Sequence, residues 1–187
     1  LVGSEMCIRD RSNHLIMDSH TLSNYKDLPI IHAHLDLEVD FVNKLLRGSV
    51  THNFSEDRNT DLLVLDSKHL DVDSVKDERG NRLNFEVGNF DELLGSKFSI
   101  QLNKESKSVT IFYKTTNKSE ALDWLMPNQT AGKNFPFMYT QGQSIFTRSW
   151  IPIQDTPGLR ITYSANIKTP ENMMAVMSAA NPQEEHS

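Results

Sequence analysis

Gln141 and Gln143 flank Gly142 within the run YTQGQSIFTRSWIPIQDTP, residues 139–157. In an extended chain, side chains two positions apart share a face, so both amides are expected to project together. Gly142 leaves space for another backbone or a ligand to come close. A primary amide offers an acceptor and two donors but neither a charge nor a nucleophile. The pair, with Ser144 beside it, therefore suits a platform that holds a polar ligand. It does not suit a nucleophilic centre or a metal cage. Residues 148–150 then lead into Ile151-Pro152 and a turn over residues 154–158, where each proline restricts the residue before it. Arg148 is expected to pair with Asp155 across this corner, and Gln154 and Asp155 to act structurally rather than catalytically.

Other residue types able to do chemistry are sparse. His32 and His34 face the same side of a predicted strand, but they alternate with apolar residues and stand beside Asp36 and Glu38 on the wet face, so they read as solvated side chains. The chain has seven histidines and no His-Glu-x-x-His spacing, which a helical zinc peptidase site requires. Its one cysteine, Cys7, excludes an internal disulfide framework and any cysteine-based zinc finger. A net charge of −6 and a pI near 5.6, without a dense basic block, argue against nucleic-acid binding. No stretch reaches the roughly 20 apolar residues of a membrane helix. Neither a nucleic-acid nor a membrane partner is expected, and the expected compartment is the cytoplasm.

The elements that must hold the platform show period-two patterning. Ile31, Ala33, Leu35, Leu37, Val39 and Phe41 alternate with His32, His34, Asp36, Glu38 and Asp40, as a half-buried strand does. Leu62 to Leu65 form a short apolar run. Alternation returns at Leu83, Phe85 and Val87; at Phe98, Ile100 and Leu102; at Val109, Ile111 and Tyr113; and at Ile161, Tyr163, Ala165 and Ile167. Turn-like clusters separate these segments; residues 89–94 suggest a short turn of helix, and the spacing of Met173, Met174 and Met177 would suit another. Phe135-Pro136-Phe137 is expected to open the strand that carries the glutamines. With 187 residues, roughly 70% of the unfolded chain's surface could be buried. The pattern predicts one all-β domain, an antiparallel β-sandwich or saddle-shaped sheet, over residues 23–180. Residues 1–22 are expected to be a non-native or disordered leader, because LVGSEMCIRDRS resembles a translated adapter remnant. Residues 181–187 are expected to form a loose tail.

Three ordered blocks then resemble a known family: WLMPNQTAGK at residues 124–133, FMYTQGQS at 137–144, and PIQDTP at 152–157. Together they resemble the N-terminal domain of zinc aminopeptidases of the leukotriene A(4) hydrolase type, within the gluzincin metallopeptidases. The resemblance implies that a zinc-bearing catalytic domain follows on the same polypeptide and that this chain alone holds no cofactor and no catalytic residue. It implies that Gln141, Gln143 and Ser144 face the cleft and help hold the free N-terminus and first side chain of a peptide. Many related aminopeptidases carry Glu where Gln143 stands, and Gln matches the leukotriene A(4) hydrolase subgroup. That subgroup also includes an epoxide hydrolase activity, which no residue here decides. The resemblance further implies a continuing strand register around residues 174–178. A stand-alone β-sandwich module that binds protein or carbohydrate through the same polar strand end is the alternative.

Overall fold

The computed structural model describes residues 18–55 and 58–181. The expected leader lies outside the described residues as far as residue 17, as does the tail beyond Asn181. Residues 18–22 are tied to the body: Thr156 Oγ1 donates to Asp18 at 2.6 Å and Leu22 N to Asp66 at 2.6 Å.

Among the described residues ten strands follow: β1 (Ile30–Asp40), β2 (Leu45–Phe54), β3 (Leu62–Ser67), β4 (Leu70–Asp77), β5 (Phe85–Asp91), β6 (Gly95–Gln101), β7 (Ser108–Thr115), β8 (Leu122–Leu125), β9 (Phe137–Thr140) and β10 (Thr162–Lys168). They form a five-stranded sheet in the order β10-β1-β2-β7-β4, a three-stranded sheet β3-β6-β5, and the hairpin β8-β9. The all-β expectation holds, with open sheets. One edge departs from the antiparallel expectation, because β10 runs parallel to β1.

Register explains the core. The row Ala165–Leu35–Val50–Ile111–Val75 crosses the large sheet on its inner face. Leu63 and Leu65 of β3 and Phe98 and Ile100 of β6 join the same apolar cluster. Each such side chain taken from water contributes about 1.5–3 kcal/mol, and their sum opposes the ordering entropy of ten strands.

Several expected boundaries move for local reasons. A bulge between Ile30 and His32 turns Ile31 outward and puts Ile30 in the core instead. β2 and β4 lack clean alternation in sequence. In β2 the inward row contains Gly48 and His52, and in β4 a bulge between Val72 and Ser74 changes the phase. Residues 91–94 form a β-turn rather than helix, with the Asp91 carboxylate accepting from Leu93 N and Leu94 N. Residues 172–176 carry no strand pairing, so the register expected around residues 174–178 is absent.

Candidate functional site

The hairpin and the corner after it position the platform. In β8-β9, Trp124 pairs with Met138 and Asp123 with Tyr139. Trp124 packs edge-on against Phe41 at the end of β1, with ring centroids 5.4 Å apart, which fixes the inner face of the hairpin to the sandwich. β9 ends at Thr140, one residue short of the first glutamine. The expectation that a strand carries Gln141 and Gln143 is therefore corrected: both lie in the loop that leaves the strand. Proline and glycine had marked the neighbourhood as irregular, but the stop at Thr140 has no signature of its own in the sequence.

That loop is fastened at both ends. Gln141 N donates to Ala121 O at 2.8 Å, and Phe146 N donates to Gly142 O at 2.9 Å. Ser149 Oγ donates to Phe146 O at 2.7 Å and accepts from Ala121 N at 3.0 Å. The peptide between Gln143 and Ser144 is cis. Gly142 is needed for packing, since a Cβ there would stand 2.5 Å from Thr147 Oγ1. Gln141, Gln143 and Ser144 are exposed, and among the described residues no protein group occupies either glutamine amide. Backbone bonds thus set the loop, while the amides keep their donors and acceptors for something else.

Behind the loop lies a buried polar node. Arg148, in the 3-10 turn Thr147–Ser149, is fully buried. Its guanidinium donates to Leu94 O at 2.9 Å, to His20 O at 2.7 Å and to Asp155 O at 3.0 Å. Asp155 Oδ2 accepts from Arg148 N at 3.1 Å and Nε at 3.2 Å, so the pairing expected across the corner is present. Asp66 faces the same guanidinium and also accepts from Thr21 Oγ1, Leu22 N and Asp155 N. Burial pushes the Asp66 carboxyl up, while these donors and the Arg148 charge pull it down. Lys68 N donates to Arg148 O at 2.9 Å, and the buried Lys68 ammonium is held by Glu92 O and by Glu120 at 2.9 Å.

Two further polar side chains brace the corner. Gln154 Nε2 donates to Leu28 O and its Oε1 accepts from Ile30 N, both at 2.9 Å. His52 Nε2 lies 2.7 Å from Pro152 O and donates to it, and burial lowers this imidazole to about 4. Asp66 and Lys68 were not singled out in the sequence. The available signal was two ionisable residues, Asp66 and Lys68, directly after the apolar run Leu62 to Leu65, where burial demands a partner.

His32 and His34 lie on the outer face, bonded to β10. His32 Nδ1 is 2.8 Å from Thr162 Oγ1, and Ser164 Oγ lies 3.0 Å from His32 Nε2 and 2.7 Å from His34 Nδ1. Among the described residues no group of three or more His, Cys, Asp or Glu side chains could hold a metal ion. The residues present therefore do not fit a zinc site. The loop presents two unengaged amides and a hydroxyl, held by backbone bonds at both ends.

Comparison with known proteins places the fold in a family. The family model described as the Peptidase M1 N-terminal domain matches residues 14–187. A leucine aminopeptidase 2 from Yarrowia lipolytica is 35% identical over 161 residues, covering 84% of this chain and 25% of that protein. A leukotriene A-4 hydrolase homolog from Botryotinia fuckeliana is 33% identical, covering 84% of this chain and 26% of that protein. The solved structure of yeast LTA4 hydrolase in complex with bestatin superposes with a TM-score of 0.78 at 36% identity, over 85% of this chain and 26% of that one. The chain spans about a quarter of the length of the curated relatives it matches.

Proposed function

The chain belongs to the Peptidase M1 N-terminal domain family, and from that membership we propose that it forms one wall of the substrate cleft of a zinc aminopeptidase. In that reading the zinc site and its general base lie in polypeptide beyond this chain, which covers about a quarter of its relatives' length. The observation that supports the reading best is the exposed pair Gln141 and Gln143, unengaged by protein and mounted on a loop bonded at both ends.

A peptide N-terminus presents an ammonium followed by a carbonyl. Each glutamine supplies an acceptor for the first and a donor for the second, and Ser144 stands at the rim where the first side chain would sit. Neutral amides fix direction without fixing charge, so the countercharge for the ammonium belongs to the metal-bearing part. Fixing the scissile bond against a catalytic group lowers a barrier by several kcal/mol, which is what a preset loop contributes. Gln143→Ala in the complete reading frame tests this. Short peptides should lose kcat/KM equivalent to about 1–3 kcal/mol, as a polar group left without its partner costs, with zinc content unchanged. Unaltered kinetics would remove the residue from the site.

A further inference from the structure

Residues 18–24 lie outside every strand and run from the corner to the edge of β3 that β6 leaves uncovered. Thr156 Oγ1 donates to Asp18, and His20 N folds back on the same carboxylate at 2.9 Å. His20 O accepts from Arg148 Nη2 at 2.7 Å, Thr21 Oγ1 donates to Asp66, and Leu22 N donates to Asp66 at 2.6 Å. Asn24 then imitates a strand: its Nδ2 donates to Leu62 O at 2.7 Å and its Oδ1 accepts from Val64 N at 2.9 Å. Ser19 and His20 are exposed, yet the Arg148 and Asp66 side chains under this segment are fully buried. Among the described residues the apolar core begins at Leu28, so hydrogen bonds rather than buried carbon hold the segment down. Segments attached in that way open at a lower free energy than the core.

Arg148 is also the peg of the glutamine loop, because it stands in the middle of the turn Thr147–Ser149. Thr147 Oγ1 fills the space beside Gly142, and Ser149 Oγ ties Phe146 O to Ala121 N. A guanidinium that shifts therefore moves both ends of residues 142–146. We propose that residues 18–24 are a strap that keeps water off the Arg148–Asp66 pair, and that Thr21 is thereby a positioning residue for Gln141 and Gln143. The assignment rests on the cleft-wall reading and adds what holds that wall in shape. Attraction between two charges falls as the medium around them becomes more polar. With the strap down the pair is dry and the turn keeps one position. With the strap open water reaches the pair, its hold on the turn weakens, and the loop visits several shapes. A peptide N-terminus must then order the loop as it binds, and that cost falls on KM rather than on kcat.

Hydrogen exchange and peptide kinetics on the complete reading frame test the strap. Thr21→Val keeps the shape of the side chain and removes its hydroxyl. The amides of Gln141 and Phe146, bonded to Ala121 O and Gly142 O, should then exchange severalfold faster, while those of β1 and β2 stay unchanged. KM for short peptides should rise severalfold with kcat nearly constant, and Thr21→Ser should restore both readouts. A purely structural role would lower the melting temperature and leave loop exchange and KM at their parent values, which overturns the proposal. Faster loop exchange with unaltered KM overturns it too. Should Thr21→Val fail to fold, Asp18→Ala, which unpins the start of the strap from Thr156, carries the same expected changes. The outcomes separate from those of the glutamine test. Impaired Gln143→Ala beside parent-like Thr21→Val sinks the strap alone. Silent kinetics in both variants, beside a loosened loop, sink the cleft-wall reading and the strap's role with it.

Discussion

Arg148 Nη1 stands 3.6 Å from Asp66 Oδ1, and neither side chain is exposed to solvent. This pair joins three parts of the chain that are far apart in sequence: the segment around His20 to Leu22, strand β3, and the turn that follows the glutamine loop. Desolvating two charges costs several kcal/mol. The pair is tolerated because every remaining donor and acceptor around it finds a partner.

Loss of one member should therefore be severe. Arg148→Met leaves Asp66 and Asp155 without their cation and should cost about 3–5 kcal/mol. Urea denaturation of the 187-residue chain measures this, and a loss below that of an ordinary surface substitution would show the node to be dispensable.

His52 gives stability a pH dependence of defined sign. Its folded-state value is lowered to about 4 by burial, below the ordinary value of 6.5, so the folded chain binds fewer protons than the unfolded chain between those limits. The contribution is complete above pH 6.5 and is lost as the pH falls towards 4, by about 3 kcal/mol in all. Denaturation midpoints across that window should fall for the parent chain. They should fall less for His52→Gln.

Gly142 is set by the neighbour its missing side chain would strike. Gly142→Ala places a methyl 2.5 Å from Thr147 Oγ1, so it should displace the loop and lower kcat/KM of the complete protein. Gly142→Ala combined with Thr147→Ala should restore it. Failure of the second change to rescue the first would locate the defect elsewhere.

In the proposed division, zinc belongs to polypeptide beyond this chain. After dialysis the 187-residue chain should retain well under one equivalent, and it should release no chromophore from aminoacyl anilides. Stoichiometric zinc measured by atomic absorption would contradict the division of labour proposed here.

The strands with largely apolar inward positions were legible from the sequence: β1, β6, β7 and β10 repeat with period two, and β3 stands out as a short apolar run. β2 and β4 were hidden because glycine, histidine and a bulge break their inward rows, although the paired register compensates for them in the folded sheet. At the site, the residue types and the Arg148–Asp155 contact followed from the chain. The stop of β9 at Thr140, one residue before the glutamines, did not. Asp66 reaches Arg148 only when β3 is laid beside the corner at Ile153. Tertiary neighbours of that kind leave no local trace.

The parallel pairing of β10 with β1 orders events during synthesis. His32 meets Thr162 and Glu38 meets Lys168, so the outer edge of β1 stays open until β10 has been made. Until residue 168 has emerged, that edge presents unsatisfied amides and carbonyls to any other extended chain nearby. Nascent protein is therefore exposed to mispairing through β1 while residues 41–168 are being added.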